Sequence, residues 1–225
     1  MVQLLVEKPG ADQNQRPSMS VENGRDHARA EVIAAKCYHV GLELLDMEKL
    51  GEAYAVFCRG IELSPQNVML QFALGQAFDL GIGVEKDDSQ AVEWYQKAAE
   101  QGLIVAIFLL AQKYEFGEGI QHDSEQAIRW YRIAAEGGLP EAQFALGEHY
   151  LCEEEHVPNH LEEAAFWFHK AAEQGHSNAQ LRLAGMHEDG LGIPQDLGAA
   201  EYWFRKAAEQ GNVQARASLE QYGAD

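Results

Sequence analysis

The sequence predicts an all-α protein, a superhelical solenoid of stacked helix-turn-helix repeats. Three observations predict it: a tryptophan-bearing segment recurs four times, its apolar residues follow the helical period, and each copy closes on glycine. The segments are AVEWYQKAAEQG at 91–102, AIRWYRIAAEGG at 127–138, AAFWFHKAAEQG at 164–175 and AAEYWFRKAAEQG at 199–211. Trp94, Trp130, Trp167 and Trp203 are 36, 37 and 36 residues apart, and Gly102, Gly138, Gly175 and Gly211 keep the same spacings. Self-similarity at such a period is the signature of a repeat architecture.

Each segment reads as a second helix. Ala91, Trp94, Tyr95, Ala98 and Ala99 fall at i, i+3, i+4, i+7 and i+8, one apolar stripe. This spacing places the tryptophans in the core rather than in a ligand-stacking box. The closing glycine suits the left-handed position that ends a helix. Asp87, Asp123 and Asp196 lie four residues before the leading alanine and are expected N-caps, with Gln90 and Gln126 at capping-box spacing. His160 stands at that position in the third copy, so a weaker cap is expected there.

A first helix precedes each of these. FALGQAF at 72–78, FLLAQKY at 108–114, FALGEHY at 144–150 and LRLAGMH at 181–187 align at the same period. Their small residues Gly75, Ala111, Gly147 and Ala184 admit a close neighbour. The connections LGIGVEKD, FGEGIQHD and DGLGIPQD carry paired glycines suited to tight turns. A phosphate-binding reading of G-x-G fails, because no strand precedes it and no third glycine follows at the required spacing. The third connection lies within LCEEEHVPNH, lengthens its repeat by one residue and lacks both glycines.

The recurring pattern A-x-x-x-L-G-x-x-Y, then G-x-G, then D-x-x-x-A-x-x-W-Y-x-x-A-A-E-Q-G, resembles the Sel-one-like repeat family, relatives of the tetratricopeptide repeats. The resemblance spans about 68–225. It implies a right-handed α/α superhelix that assembles protein complexes, without catalysis in most members. The roles it implies are bacterial: regulatory, secretion-associated or immunity-type. Gly41, Ala53, Phe57, Gly60 and Pro65 match an ordinary tetratricopeptide unit ahead of the array. The expected organisation is a disordered tail at 1–25, a tetratricopeptide-like helix pair at 26–67 and repeats at 68–103, 104–139, 140–176 and 177–212. A capping helix is expected at 213–225, and the first helix is expected to start near Asp26. In the tail, Val2, Leu4, Leu5 and Val6 could dock on the array or on a partner.

Charge and cysteine content narrow the function. The formal net charge is −19, from 36 acidic and 17 basic residues. Such a chain repels nucleic acid and anionic membranes and favours a protein or peptide partner with a basic or polar surface. No stretch approaches the length of a membrane-spanning helix, and the first residues lack the basic and apolar regions of a signal peptide. Cys37, Cys58 and Cys152 are odd in number and unrelated in spacing, which points to reduced thiols in the cytoplasm. No nucleophile–base constellation stands out, so no enzyme and no cofactor is expected. Cysteine-rich relatives of β-lactamase type carry a disulfide in each repeat, and this chain does not.

A solenoid binds along its concave face, to which the first helices belong. Residues one and four beyond the small position should face that groove: Gln76 and Asp79, Gln112 and Glu115, Glu148 and Leu151, Gly185 and Glu188. Asp79, Glu115, Glu148 and Glu188 then form an acidic ladder, one rung per repeat; the plainer alternative is four solvated helix positions. His149, Cys152, His156 and His160 gather around the irregular connection with Glu153, Glu154 and Glu155. Their spacings of 3, 4 and 4 match no common zinc motif, so a solvated loop is expected there rather than a metal-dependent switch.

Overall fold

The computed structural model describes residues 19–152 and 159–222. Among them the chain forms eleven helices and no strand: α1 Met19–Asp46, α2 Leu50–Leu63, α3 Val68–Leu80, α4 Asp88–Glu100, α5 Ile104–Phe116, α6 Ser124–Glu136, α7 Pro140–Cys152, α8 His160–Glu173, α9 Ser177–Asp189, α10 Leu197–Glu209 and α11 Val213–Tyr222. Each helix packs mainly on its neighbours in sequence. The result is an α/α solenoid of helix pairs. The first helix begins at Met19, ahead of the start near Asp26 that the sequence suggested. Val2, Leu4, Leu5 and Val6 and the remainder of the expected tail to residue 18 lie outside the described residues, as do Glu153, Glu154, Glu155 and His156.

The helix boundaries follow from local chemistry. Asp87, Asp123 and Asp196 accept from the backbone N–H of Gln90, Gln126 and Ala199, each at 3.0 Å. These bonds satisfy donors that the first helical turn leaves open. In the third repeat the cap moves by one residue. Asn159, at φ 65°, occupies the N-cap without a side-chain cap bond, and His160 becomes the first helical residue. Among the turn glycines, Gly119 shows why no other residue serves: its φ is 73°, and a Cβ there would strike the backbone of Asp88 at the start of α4.

The core is a line of aromatic–small contacts. Tyr95, Tyr131, Phe168 and Phe204 are buried, whereas Trp94, Trp130, Trp167 and Trp203 are only half-buried at the rims of the core clusters. The sequence reading placed the tryptophans in the core; the residue after each is its centre. The cause is the small position on the paired helix. A Cβ on Gly75 would come within 2.5 Å of the Tyr95 ring, and one on Gly147 within 2.7 Å of Phe168. Gly41 meets Phe57 in the same way in the first helix pair. There Ser64 donates to Glu31 at 2.6 Å, tying the end of α2 to α1.

Glutamines join successive repeats. Gln71, Gln143 and Gln180 are almost wholly buried on the first helices. Their side-chain amides donate to the carbonyls of Pro65, Ala135 and Ala172, at 2.8, 3.1 and 3.1 Å. Each also accepts from the glutamine that ends its own second helix: Gln101 to Gln71 at 2.7 Å, Gln174 to Gln143 at 2.8 Å and Gln210 to Gln180 at 2.8 Å. The second repeat substitutes both partners, with buried Ile107 facing solvent-free core and Gly137 at the helix end. A polar pair is kept whole or replaced whole, as the cost of an orphaned buried amide requires.

Candidate partner-binding face

The first helices α3, α5, α7 and α9 carry every residue assigned to the groove. Gln76, Asp79, Gln112, Glu115, Glu148, Leu151 and Glu188 are all half-buried, as is Gly185. The structure shows what holds the rungs. Asp79 accepts from Tyr95 Oη at 3.0 Å and from Lys113 Nζ at 2.5 Å. Glu115 accepts from Tyr131 Oη at 2.5 Å and faces His149 Nε2 at 3.3 Å. Glu148 is gripped by Arg182, through Nε and a terminal nitrogen, both at 2.8 Å. Asp79, Glu115 and Glu148 are therefore each tied to a basic side chain of the next repeat, and the ladder is also a set of inter-repeat ties.

The rungs are not equivalent. Asp79, Glu115 and Glu188 stand four residues beyond the small position; Glu148 stands one beyond, and Leu151 occupies the fourth place. Two residues beyond the small position stand Ala77, Lys113, His149 and Met186 in turn. Carboxylate, tyrosine and basic side chain come together as Asp79, Tyr95 and Lys113, then as Glu115, Tyr131 and His149. The third set is Leu151, Phe168 and Met186, apolar throughout and packed in one cluster. The fourth repeat carries Glu188 with Phe204. Sequence reasoning missed these sets, although the parallel change from tyrosine to phenylalanine and from carboxylate to leucine was there to be read.

Lys113 is the most buried cation of the described residues, with a side chain only 6% exposed. Burial opposes its charge. Bonds to Asp79, Glu118 at 2.8 Å and Asp88 at 3.0 Å outweigh that and hold its pKa above the usual lysine range. Lys113 in turn lowers the pKa of Asp88. His149 lowers that of Glu115, against the effect of burial. Burial raises the hydroxyls of Tyr95 and Tyr131, helped by the carboxylates they donate to, so both remain neutral donors.

Among the described residues, the metal-capable side chains that converge are Asp79, Asp88 and Glu118, whose ligand atoms lie within 4.8 Å of one another. Lys113 Nζ already bonds to all three. Of the set around the irregular connection, His149 and exposed Cys152 lie on α7 and His160 opens α8.

Between α5 and α7 the face opens into a cleft of about 480 Å³. Gln112 and Glu115 of α5 and Glu148 of α7 line it, joined by Phe108, Phe144 and Glu141. His149, Cys152 and His176 complete its α7–α9 side. His176 stacks on Phe144, with ring centroids 4.7 Å apart, and its Nδ1 accepts from the N–H of Ala179 at 3.2 Å, capping α9.

That cap requires a neutral imidazole with a free Nδ1 lone pair. Burial lowers the pKa of His176 from the ordinary 6.5, only partly offset by Glu141. A lowered pKa means that the cap's stabilisation is complete above 6.5 and is lost as pH falls through the folded value. His176→Asn keeps a cap of the kind that Asn67 and Asn212 provide for α3 and α11. Melting curves between pH 7.5 and 5 should show the variant losing less stability than wild type on acidification. Parallel losses would show that His176 does not cap as a neutral base.

Helix pairs stacked by small–aromatic contacts, with a cleft along their first helices, define an α/α repeat protein. The chain belongs to the Sel1 repeat family: the family model matches residues 68–103, 104–139, 140–176 and 177–212. A Sel1 repeat protein from Oxalobacter formigenes is 37% identical, with a TM-score of 0.70, over 77% of this chain and 49% of that one. A protective antigen of uropathogenic Escherichia coli with the same repeat fold is 30% identical, with a TM-score of 0.77, over 85% of this chain and 42% of that one. This chain spans less than half the length of either. YrrB, a tetratricopeptide-repeat protein with an unusual peptide-binding site, shares the fold at 16% identity and a TM-score of 0.52, over 90% of this chain and 96% of its own. A search of the curated proteins finds no match. The fold is typical of protein-interaction scaffolds and the family is generally non-enzymatic. No helix among the described residues is long and apolar enough to cross a membrane.

Proposed function

We propose that this protein is a non-catalytic adaptor that binds a protein or peptide partner along the concave face formed by its first helices, in a bacterial cytoplasm. The cleft between α5 and α7 carries the proposal. It lies on the face where Gln112, Glu115 and Glu148 converge, and it is large enough for several side chains of an extended segment. The peptide-binding neighbour of the same fold and the bacterial source of both closer relatives support the reading. So do the three free cysteines, one of them exposed, which suit a reducing compartment. The net charge of −19 favours a partner with a basic contact surface.

The ion pairs change how this is tested. Reversing Glu115 or Glu148 would set a lysine against His149 or Arg182 and damage the array itself. Exposed Glu141 and half-buried Gln112 are the better probes. A partner recovered by affinity capture and mass spectrometry should bind Gln112→Arg/Glu141→Arg at least about tenfold more weakly, and wild type more weakly as salt rises, because screening shortens the field to about 8 Å. Glu93→Arg/Glu136→Arg, on the exposed sides of α4 and α6, should bind as wild type does. Loss only in the second pair would place binding on the outer helices and end this reading.

A further inference from the structure

The α5–α7 cleft has the chemistry of a site for a planar cation. Phe108 and Phe144 give it aromatic walls, and Glu115, Glu141 and Glu148 give it three carboxylates. Two of these are already shared, Glu115 with His149 and Glu148 with Arg182, yet their side chains stay about 30% and 29% exposed. Glu141, in the first turn of α7, is exposed and forms no ion pair among the described residues. The other nearby base, His176, stacks on Phe144 and uses Nδ1 as an acceptor, which leaves its ring uncharged. Negative charge is therefore in excess within the cleft, beside aromatic surface.

An aromatic face attracts a cation, and a guanidinium stacks on it in a way an ammonium does not. A carboxylate accepts the parallel N–H pair of a guanidinium in two aligned bonds. An apolar side chain would meet the rings but leave the carboxylates dry and unpaired, at a cost. An acidic one would be repelled. Resting on the adaptor reading, we propose that this cleft takes an arginine side chain presented by the partner, stacked against Phe108 and paired with Glu141. The cleft then supplies the specificity of the face, while the rest of the first helices supply area.

The test uses the full chain and capped pentapeptides Gly-Ser-Xaa-Ser-Gly, with Xaa as arginine, lysine, norleucine or glutamate, followed by NMR titration. The arginine peptide should shift resonances of α5 and α7 saturably and bind at least about fivefold more tightly than the lysine peptide. The norleucine and glutamate peptides should leave those resonances in place. Glu141→Gln should weaken the arginine peptide about tenfold, with the helical spectrum unchanged. Equal affinity for arginine and lysine would overturn guanidinium recognition. So would a tighter norleucine peptide, or an arginine response insensitive to Glu141→Gln. If no peptide binds while the recovered partner still loses affinity on Gln112→Arg/Glu141→Arg, the arginine site fails and the adaptor reading stands. If the arginine peptide binds the cleft but the partner ignores that double variant, the adaptor reading fails and the arginine site stands.

Discussion

Gly147→Leu is expected to destabilise the protein by about 1–3 kcal/mol or more, the usual cost of overpacking a full core. Position 147 faces the ring of Phe168. A bare Cβ would already lie 2.7 Å from two ring carbons and 3.1 Å from a third. Phe168 has no room to yield, being wholly buried, with Phe144 against it at 5.8 Å between centroids. A leucine adds three more carbons to that clash. The repeat must spread α7 from α8 or expel the ring, and stacked repeats pass the loss to their neighbours. Glu220→Leu, at the aligned position of the last helix, is the control. Glu220 is exposed, so its substitution should stay within about 0.5 kcal/mol. Thermal unfolding of both variants decides the matter. A drop of roughly 2–12 °C for Gly147→Leu and almost none for Glu220→Leu is the expected outcome. Equal drops would show that the small position does not do the same work along the array.

The features that repeat in sequence were legible, and those that pair between repeats were not. The caps at Asp87, Asp123 and Asp196 could be read because an N-cap and its N–H partner lie three residues apart. The terminal glycines could be read because a helix end is a local event. Gly102, Gly138, Gly175 and Gly211 all adopt φ between 83° and 91°. The tryptophans were misplaced by one residue. Periodicity defines a face about as wide as two neighbouring positions, and only the facing Gly75 or Gly147 selects which ring goes deepest. The groove residues lie on the first helices as expected, but their partners stand 34 residues away in Asp79 with Lys113 and in Glu148 with Arg182. A helical wheel shows the side on which a carboxylate stands and is silent about what reaches it from the next repeat. The acidic ladder was thus read as open charge because each rung was considered within its own helix.

Those cross-repeat ties lead to the other large effect. Lys113→Met should cost about 3 kcal/mol, toward the lower end of what breaking a buried ion pair usually costs. The reason is uneven exposure of the three carboxylates it serves. Asp79 is only 17% exposed and is left buried without its cation. Asp88 and Glu118, at 30% and 51%, can turn to water. The protein itself suggests the repair. Its third set, Leu151, Phe168 and Met186, fills the same three positions with apolar side chains and buries Phe168 and Met186 in one cluster. Asp79→Leu/Tyr95→Phe/Lys113→Met copies that set into the first repeat. Replacing every member of a buried polar group together is often neutral or stabilising, because nothing is left unpaired. The triple variant should therefore recover most of the stability that Lys113→Met loses, as thermal unfolding of the two variants will show. If the triple variant melts as low as the single one, Lys113 contributes through Asp88 and Glu118 instead. The equivalence of the polar and apolar sets would then be wrong.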